Sequence, residues 1–249
     1  MSELDIDLGN TRLKWRLREG ARVLERGALS WAALDAEPGG WVQLTARISA
    51  AERIRVGSVA GDARNQQLLD VLAGSGAGVP TFAQTAAQSA GVTNSYADPS
   101  RMGVDRWLAA VAAYHRVGGA CVVVDCGSAV TVELMSAEGR HCGGYIVPGL
   151  RLMRRALFAD TDAVKVESAS TPLSLAPGTD TAAAVNHGLP LMLLGLIGAA
   201  QRYLADARPQ LLLTGGDSAA LLPLLRSELE LEPVLVPELV LDGLALVLP

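Results

Sequence analysis

Val122-Val-Val-Asp-Cys-Gly-Ser-Ala-Val-Thr131 is the stretch that decides the fold. Three β-branched valines followed at once by Asp125 and Gly127 predict a buried strand that ends in a tight polar turn. The turn presents one carboxylate, a row of backbone N–H groups and the Ser128 hydroxyl. Val130 to Met135 alternate well enough to form the returning strand of a hairpin.

The same design opens the chain as Leu4-Asp-Ile-Asp-Leu-Gly-Asn-Thr-Arg-Leu-Lys14. Here Asp7-Leu8-Gly9-Asn10-Thr11 matches Asp125-Cys126-Gly127-Ser128-Ala129. An isolated Asp-x-Gly is ordinarily a plain turn. Two copies, each after a hydrophobic strand and each opening half of the chain, predict a duplicated domain with a cleft between the copies. Glycine lets backbone amides approach an anion, and consecutive amides form an anion-binding nest. An aspartate beside bound phosphates holds a cation directly or through water. Together these features suit a grip on a nucleoside triphosphate from two sides.

Half of the 249 residues are hydrophobic and only 4% are aromatic, so the core must be built of Ala, Leu and Val, as in a helix-rich α/β protein. A net charge of −5 offers no basic surplus for displacing counterions, which argues against a nucleic-acid partner. The three cysteines, Cys121, Cys126 and Cys142, read as reduced thiols, with Cys126 a small space-filler inside the turn. His115, His141 and His187 have no metal-ligand spacing. Acidic residues stand where a secretory signal would be basic and apolar, and the longest apolar stretch, 189–200, is short for a bilayer. A cytoplasmic protein with no membrane partner is expected.

Along the chain, residues 15–17 and 21–29 read as further strands of a meander and 31–34 as a helical turn, with helical spacing over 41–51. A strand at 54–59 and a helix at 65–72 then form an α/β unit with its loop facing a ligand. Gly74-Ser-Gly-Ala-Gly78 is not a dinucleotide fingerprint, because its third glycine is misplaced and it follows a helix. It reads as a helix-ending glycine loop. Residues 91–106 lack periodicity and form a long loop of the kind that carries function. Asp105 and Arg106 fall at the first turn of a helix over 107–115, where an aspartate also simply suits the dipole. Gly118-Gly119 marks the boundary between domains 1–117 and 118–249. Gly143 to Gly149 is a strand running into a Pro-Gly turn before a helix over 150–158. The segment 182–203 is helical but broken near Pro190. Leu211 to Asp217 is a buried strand ending in Gly215-Gly216, which suits either an ordinary connection or a flat ligand lying on the backbone. Residues 233–248 read as either strand or helix.

Paired Asp-x-Gly hairpins plus a Gly-Gly-Asp turn resemble the nucleotide-binding loops of the actin, Hsp70 and sugar-kinase superfamily. Within it, the chain looks like a type III pantothenate kinase. The resemblance is carried by Asp7 to Lys14, Tyr96, Gly103-Val-Asp-Arg106, Asp125 to Thr131, Gly143 to Gly149 and Asp180-Thr181, and it covers nearly the whole chain. It implies an α/β fold of two similar RNase H-like domains, with mixed sheets flanked by helices, as in actin-like ATPases. It also implies ATP-dependent phosphorylation of the primary hydroxyl of pantothenate, the first step of coenzyme A biosynthesis, with Asp105 as general base. Carried over by motif position, Asp7, Leu8, Gly9, Asn10, Thr11, Arg12, Leu13, Lys14 and Ser128 would bind the ATP phosphates. Gly215 and Gly216 would lie by adenosine. Tyr96, Gly103, Val104, Asp105, Arg106 and Thr181 would bind pantothenate. Asp125 would hold a monovalent cation, potassium or ammonium, and Asp7 would orient the waters of magnesium arriving with ATP. The family implies a homodimer. Ser128 stands where threonine is usual, and Asp180 where asparagine is usual.

Two rivals share parts of this pattern. A superfamily kinase for a sugar or small acid has both hairpins but not the Gly103-to-Arg106 loop. A non-catalytic ATP-binding regulator has no need of Asp105. A Walker-type NTPase is excluded, since no Gly-x-x-x-x-Gly-Lys-[Ser/Thr] occurs.

Overall fold

The computed structural model describes residues 2–36, 40–41, 44–45, 51–76, 78–159, 173–204, 207–229 and 232–249. The chain divides into two units, one of residues 1–112 with 238–249 and one of residues 113–237.

Unit 1 is built on a five-stranded sheet. Strands β1 (Ser2–Leu8), β2 (Arg12–Glu19) and β3 (Arg22–Ser30) form an antiparallel meander, and β4 (Arg53–Ser58) and β5 (Thr81–Phe82) add in parallel, in the order β3-β2-β1-β4-β5. The strand period sorts β1 into two faces. Leu4, Ile6 and Leu8 lie opposite Leu17, Trp15 and Leu13, and are fully buried with Ile54, Val56, Leu68 and Leu72. The other face carries Glu3, Asp5 and Asp7 opposite Arg18, Arg16 and Lys14. That charged face is not left to water. Helix α7 (Leu239–Val247) packs on β1 and β4, and Arg16 reaches Asp242 at 2.6 Å and Glu238 at 3.2 Å. Asp5, with no exposed surface, meets Arg16 at 3.1 Å and Arg18 at 3.2 Å, and Arg55 bonds Glu3. Burial pushes the Asp5 carboxyl upward, against the opposing pull of Arg55, Arg18 and Arg16.

The short helix α1 (Trp31–Ala36) and helix α2 (Asp62–Ser75) flank this sheet, and α2 ends at left-handed Gly76, as its glycine loop predicts. The helical spacing read over 41–51 falls largely outside the described residues. The expected long loop, 91–106, is partly ordered: β6 (Gln88–Ser89) pairs with β7 (Val92–Thr93), and Pro99–Arg101 form a 3-10 turn. Helix α3 (Val104–Val117) follows.

Unit 2 repeats the topology. Its strands β8 (Cys121–Cys126), β9 (Ala129–Met135) and β10 (His141–Pro148) are antiparallel, β11 (Gln210–Thr214) and β12 (Val234–Leu235) add in parallel, and the order is β10-β9-β8-β11-β12. The valines of the opening motif sit at the centre of this sheet, as expected. Val122, Val124 and Cys126 pack with Val130, Val132, Leu211 and Leu213, covered by helices α5 (Thr181–Tyr203) and α6 (Ser218–Glu228). Helix α4 (Leu150–Ala159) packs against α5.

Three expectations differ from the structure. The units meet inside α3, not at Gly118-Gly119, and residues 238–249 join unit 1 because α7 covers its charged face. Pro190 does not break α5: Leu189, Leu193, Leu194 and Ile197 are buried around it, and core packing outweighs the lost N–H. The helix is continuous over Thr181–Tyr203, close to the 182–203 read from the sequence. By length and composition it would span a bilayer, but Leu189, Leu193, Ile197 and Ala200 are core residues of unit 2.

Candidate active site

In unit 1 the site begins at the end of β1. Asp7 pairs across the hairpin with Lys14, Nζ to Oδ2 3.9 Å, and Gly9 N–H donates to Arg12 O at 3.1 Å to close the turn over residues 9–11. The turn is braced from outside. Trp31 donates its indole N–H to Gly9 O at 3.0 Å and its main-chain N–H to Thr11 O at 3.3 Å. Arg64 lies over the Trp31 ring at 4.4 Å and forks onto Asp35.

The loop bearing Asp105 reaches the same edge of the sheet. Val59, just beyond β4, donates its N–H to Leu8 O at 3.0 Å, and its side chain lies against Gly103. A Cβ at Gly103 would stand 2.8 Å from Asp105 Oδ1, so only glycine leaves that carboxylate its position. Asp105 is half-buried in the first turn of α3, and its Oδ1 accepts from Arg106 N at 2.8 Å. Arg106 is buried and donates from Nη1 to Tyr96 Oη at 2.9 Å, with its guanidinium 5.8 Å from the Tyr96 ring centre. The unit thus brings together Asp7 to Lys14, Tyr96 and Gly103 to Arg106: an acidic turn, a carboxylate at a helix start and a fixed cation beside it.

In unit 2, Asp125 is half-buried near the end of β8, and Ser128 is exposed in the turn that Gly127 N–H closes onto Ala129 O at 3.0 Å. Gly215, at φ +91°, lies directly against this turn. A side chain there would run into the Asp125 carboxylate and the Cys126 backbone. Asp217 N–H donates to Cys126 O at 2.9 Å, and Gly149 N–H to Ser128 O at 3.0 Å, so the Gly-Gly-Asp loop and the Pro-Gly turn both close on the hairpin. Burial first, then Asp125 and Asp217, push the Cys126 thiol up to about 12, which fits a space-filler and not a nucleophile. Thr181 is exposed at the first position of α5. Its neighbour Asp180 caps that helix, accepting from Ala183 N at 2.8 Å.

Among the described residues, no three His, Cys, Asp or Glu side chains converge as a metal-binding group. Asp7 and Asp125 are instead single carboxylates beside backbone-rich turns, a donor set that suits a hydrated ion arriving with phosphates.

Comparisons with known proteins give the family. The sequence model of type III pantothenate kinases matches residues 3–203. The chain belongs to the type III pantothenate kinase family. A type III pantothenate kinase from Marinobacter nauticus is 42% identical over 244 residues, covering 96% of this chain and 95% of that protein. Among solved structures, a Baf-family protein from Campylobacter jejuni superposes with TM-score 0.63 at 20% identity, over 97% of this chain and 95% of the other. Component A of (R)-2-hydroxyglutaryl-CoA dehydratase from Acidaminococcus fermentans gives 0.56 at 13%, over 99% and 96%. These two likenesses speak for the fold alone, which is that of the actin-like ATPases. As a family member the chain is a kinase that transfers phosphate to an alcohol in coenzyme A biosynthesis, with a nucleotide and its divalent metal.

Sequence reasoning missed Trp31, Thr85 and Asn94. No spacing rule links Trp31 to the turn it braces, and Asn94 and Thr85 stand in a stretch without periodicity.

Proposed function

We propose that Asp105 is the general base by which this pantothenate kinase-family chain phosphorylates the primary hydroxyl of pantothenate. Asp105 takes the hydroxyl proton, the alcohol oxygen bonds the γ-phosphorus of ATP, the bond to the β–γ bridging oxygen breaks, and ADP leaves. The observation that carries this reading is the grouping of Asp105, Arg106 and Tyr96 at the edge of the sheet where the Asp7 turn lies. A carboxylate that meets an alcohol orients it and accepts its proton, an effect of about 10²–10⁴-fold. Arg106, permanently charged and held by Tyr96, answers the carboxylate of pantothenate, with Gly103, Val104 and Thr181 completing its site.

The Asp7-to-Lys14 turn and Ser128 receive the ATP phosphates on backbone amides and hydroxyls, and Gly215 and Gly216 lie by adenosine. Asp7 would hold, through water, the magnesium that arrives with ATP, which would supply positive charge beside the phosphates. Asp125 holds a monovalent cation, potassium or ammonium, where positive side chains are scarce. The enzyme works in the cytoplasm as a homodimer. Ile146, Leu152, Leu191 and Met192 of unit 2 are exposed apolar side chains, in keeping with a second copy.

An ADP-release assay across pantothenate, hexoses, glycerol and acetate, with and without potassium or ammonium, tests the reading. Pantothenate alone should support turnover, and the monovalent ion should raise it. Asp105→Asn should lower kcat by about 10²–10⁴-fold while ATP still binds. Turnover on another acceptor, or full activity of Asp105→Asn, overturns it.

A further inference from the structure

The segment after β5 does no chemistry of its own, yet it carries both feet of the loop that holds Tyr96 and Arg106. It is itself anchored on the core, since Ala83 N–H donates to Val56 O at 2.8 Å, and Val56 is fully buried in β4. At the first foot, Asn94 N–H donates to Ala87 O at 2.9 Å, while its Nδ2 donates to Ala86 O at 3.4 Å and lies 3.5 Å from Met102 Sδ. The Asn94 Oδ1 turns the other way and accepts from Tyr96 N at 2.9 Å. At the second foot, Thr85 Oγ1 donates to Met102 O at 2.9 Å, one residue before Gly103.

Between the feet, Tyr96 takes a bond from Arg106 and the turn at Asp98 is closed by local bonds. Asp98 accepts from Ser100 N and Oγ, and Met102 N–H donates to Pro99 O at 3.0 Å. Asp98, Ser100 and Arg101 are exposed, so little apolar burial fixes the loop's position. Thr85 and Asn94 thus tie the backbone on both sides of Tyr96 and Gly103 to the segment after β5.

We infer that Thr85 and Asn94 are positioning residues for the acceptor substrate, acting through Tyr96 and the Gly103-to-Arg106 turn. The inference rests on the proposed assignment of pantothenate to those residues. A hydroxyl or carboxamide bond that holds a loop in place shows its loss chiefly in the affinity of what the loop binds. The ATP turn is fastened by Trp31.

The test is steady-state kinetics on the full chain, varying pantothenate and ATP separately, with thermal melting alongside. Thr85→Val, nearly the same shape without the hydroxyl, should raise KM for pantothenate about 3- to 10-fold and leave KM for ATP within about twofold. Thr85→Ser keeps the donor and should restore the wild-type value. Asn94→Ala should behave as Thr85→Val does, and it carries the test from the other foot if that variant does not fold. An unchanged KM for pantothenate in both variants, an equal rise in both KM values, or no rescue by serine overturns the inference. Wild-type protein without pantothenate-dependent ADP release removes the substrate assignment itself, and the positioning role falls with it.

Discussion

Trp31 shows how much of the proposed phosphate site lies outside its motif. Its indole N–H and main-chain N–H hold Gly9 O and Thr11 O, and its ring is pinned by Arg64. Trp31→Phe retains a ring but loses the bond to Gly9. KM for ATP should rise about 2- to 10-fold in steady-state assays, with KM for pantothenate unchanged. An unaltered KM for ATP would mean that the turn holds its shape unaided. The residues of the two hairpins were legible in the sequence because their partners are neighbours across a short turn. Trp31 and Thr85 were not, because their partners lie 22 and 17 residues away. Asp180 was legible as an unusual charge but not in its role, which the Ala183 N–H reveals to be a helix cap.

Strands were easier to read than helices here. Alternation in β1 and the valine run of β8 dictated both hairpins, and the register follows from which face must be buried. What the pattern did not disclose was the cover on the acidic face of β1. The apolar sequence of α7 gives no sign that Glu238 and Asp242 meet Arg16 from the far end of the chain. Helix α5 misled for a related reason, since a proline costs less where the core fixes the helix on either side. The charged layer yields a sharp expectation. Arg16→Ala strips a buried guanidinium from Asp5 and Asp242, and urea unfolding should show a loss of about 3–5 kcal/mol. Arg26, largely exposed and paired only at its tip with Glu238, should give about 0–1 kcal/mol on the same substitution. Similar losses for the two would refute the idea that burial makes Arg16 matter.

At the scale of the molecule, the two sheets share one strand order, so the duplication suggested by two short motifs extends through both units. That much follows from sequence, because each hairpin must begin a meander and each following strand must return in parallel. The association of copies is a property of surface, which motifs do not report. Leu191 and Met192 are 55% and 63% exposed on α5, although the opposite side of that helix is core. Leu191→Asp combined with Met192→Asp should leave the melting temperature within a few degrees, about 1 kcal/mol or less, yet turn a dimer into a monomer in sedimentation experiments. A dimer that survives both changes would place the contact elsewhere.

The return of α7 to unit 1 reverses the usual order of maturation on the ribosome. The earlier-made unit stays unfinished, with the Arg16 layer lacking Glu238 and Asp242, until translation has passed all of the later-made one. Nascent chains stalled before residue 238 should therefore hold a protease-sensitive first unit beside a second unit that has already matured.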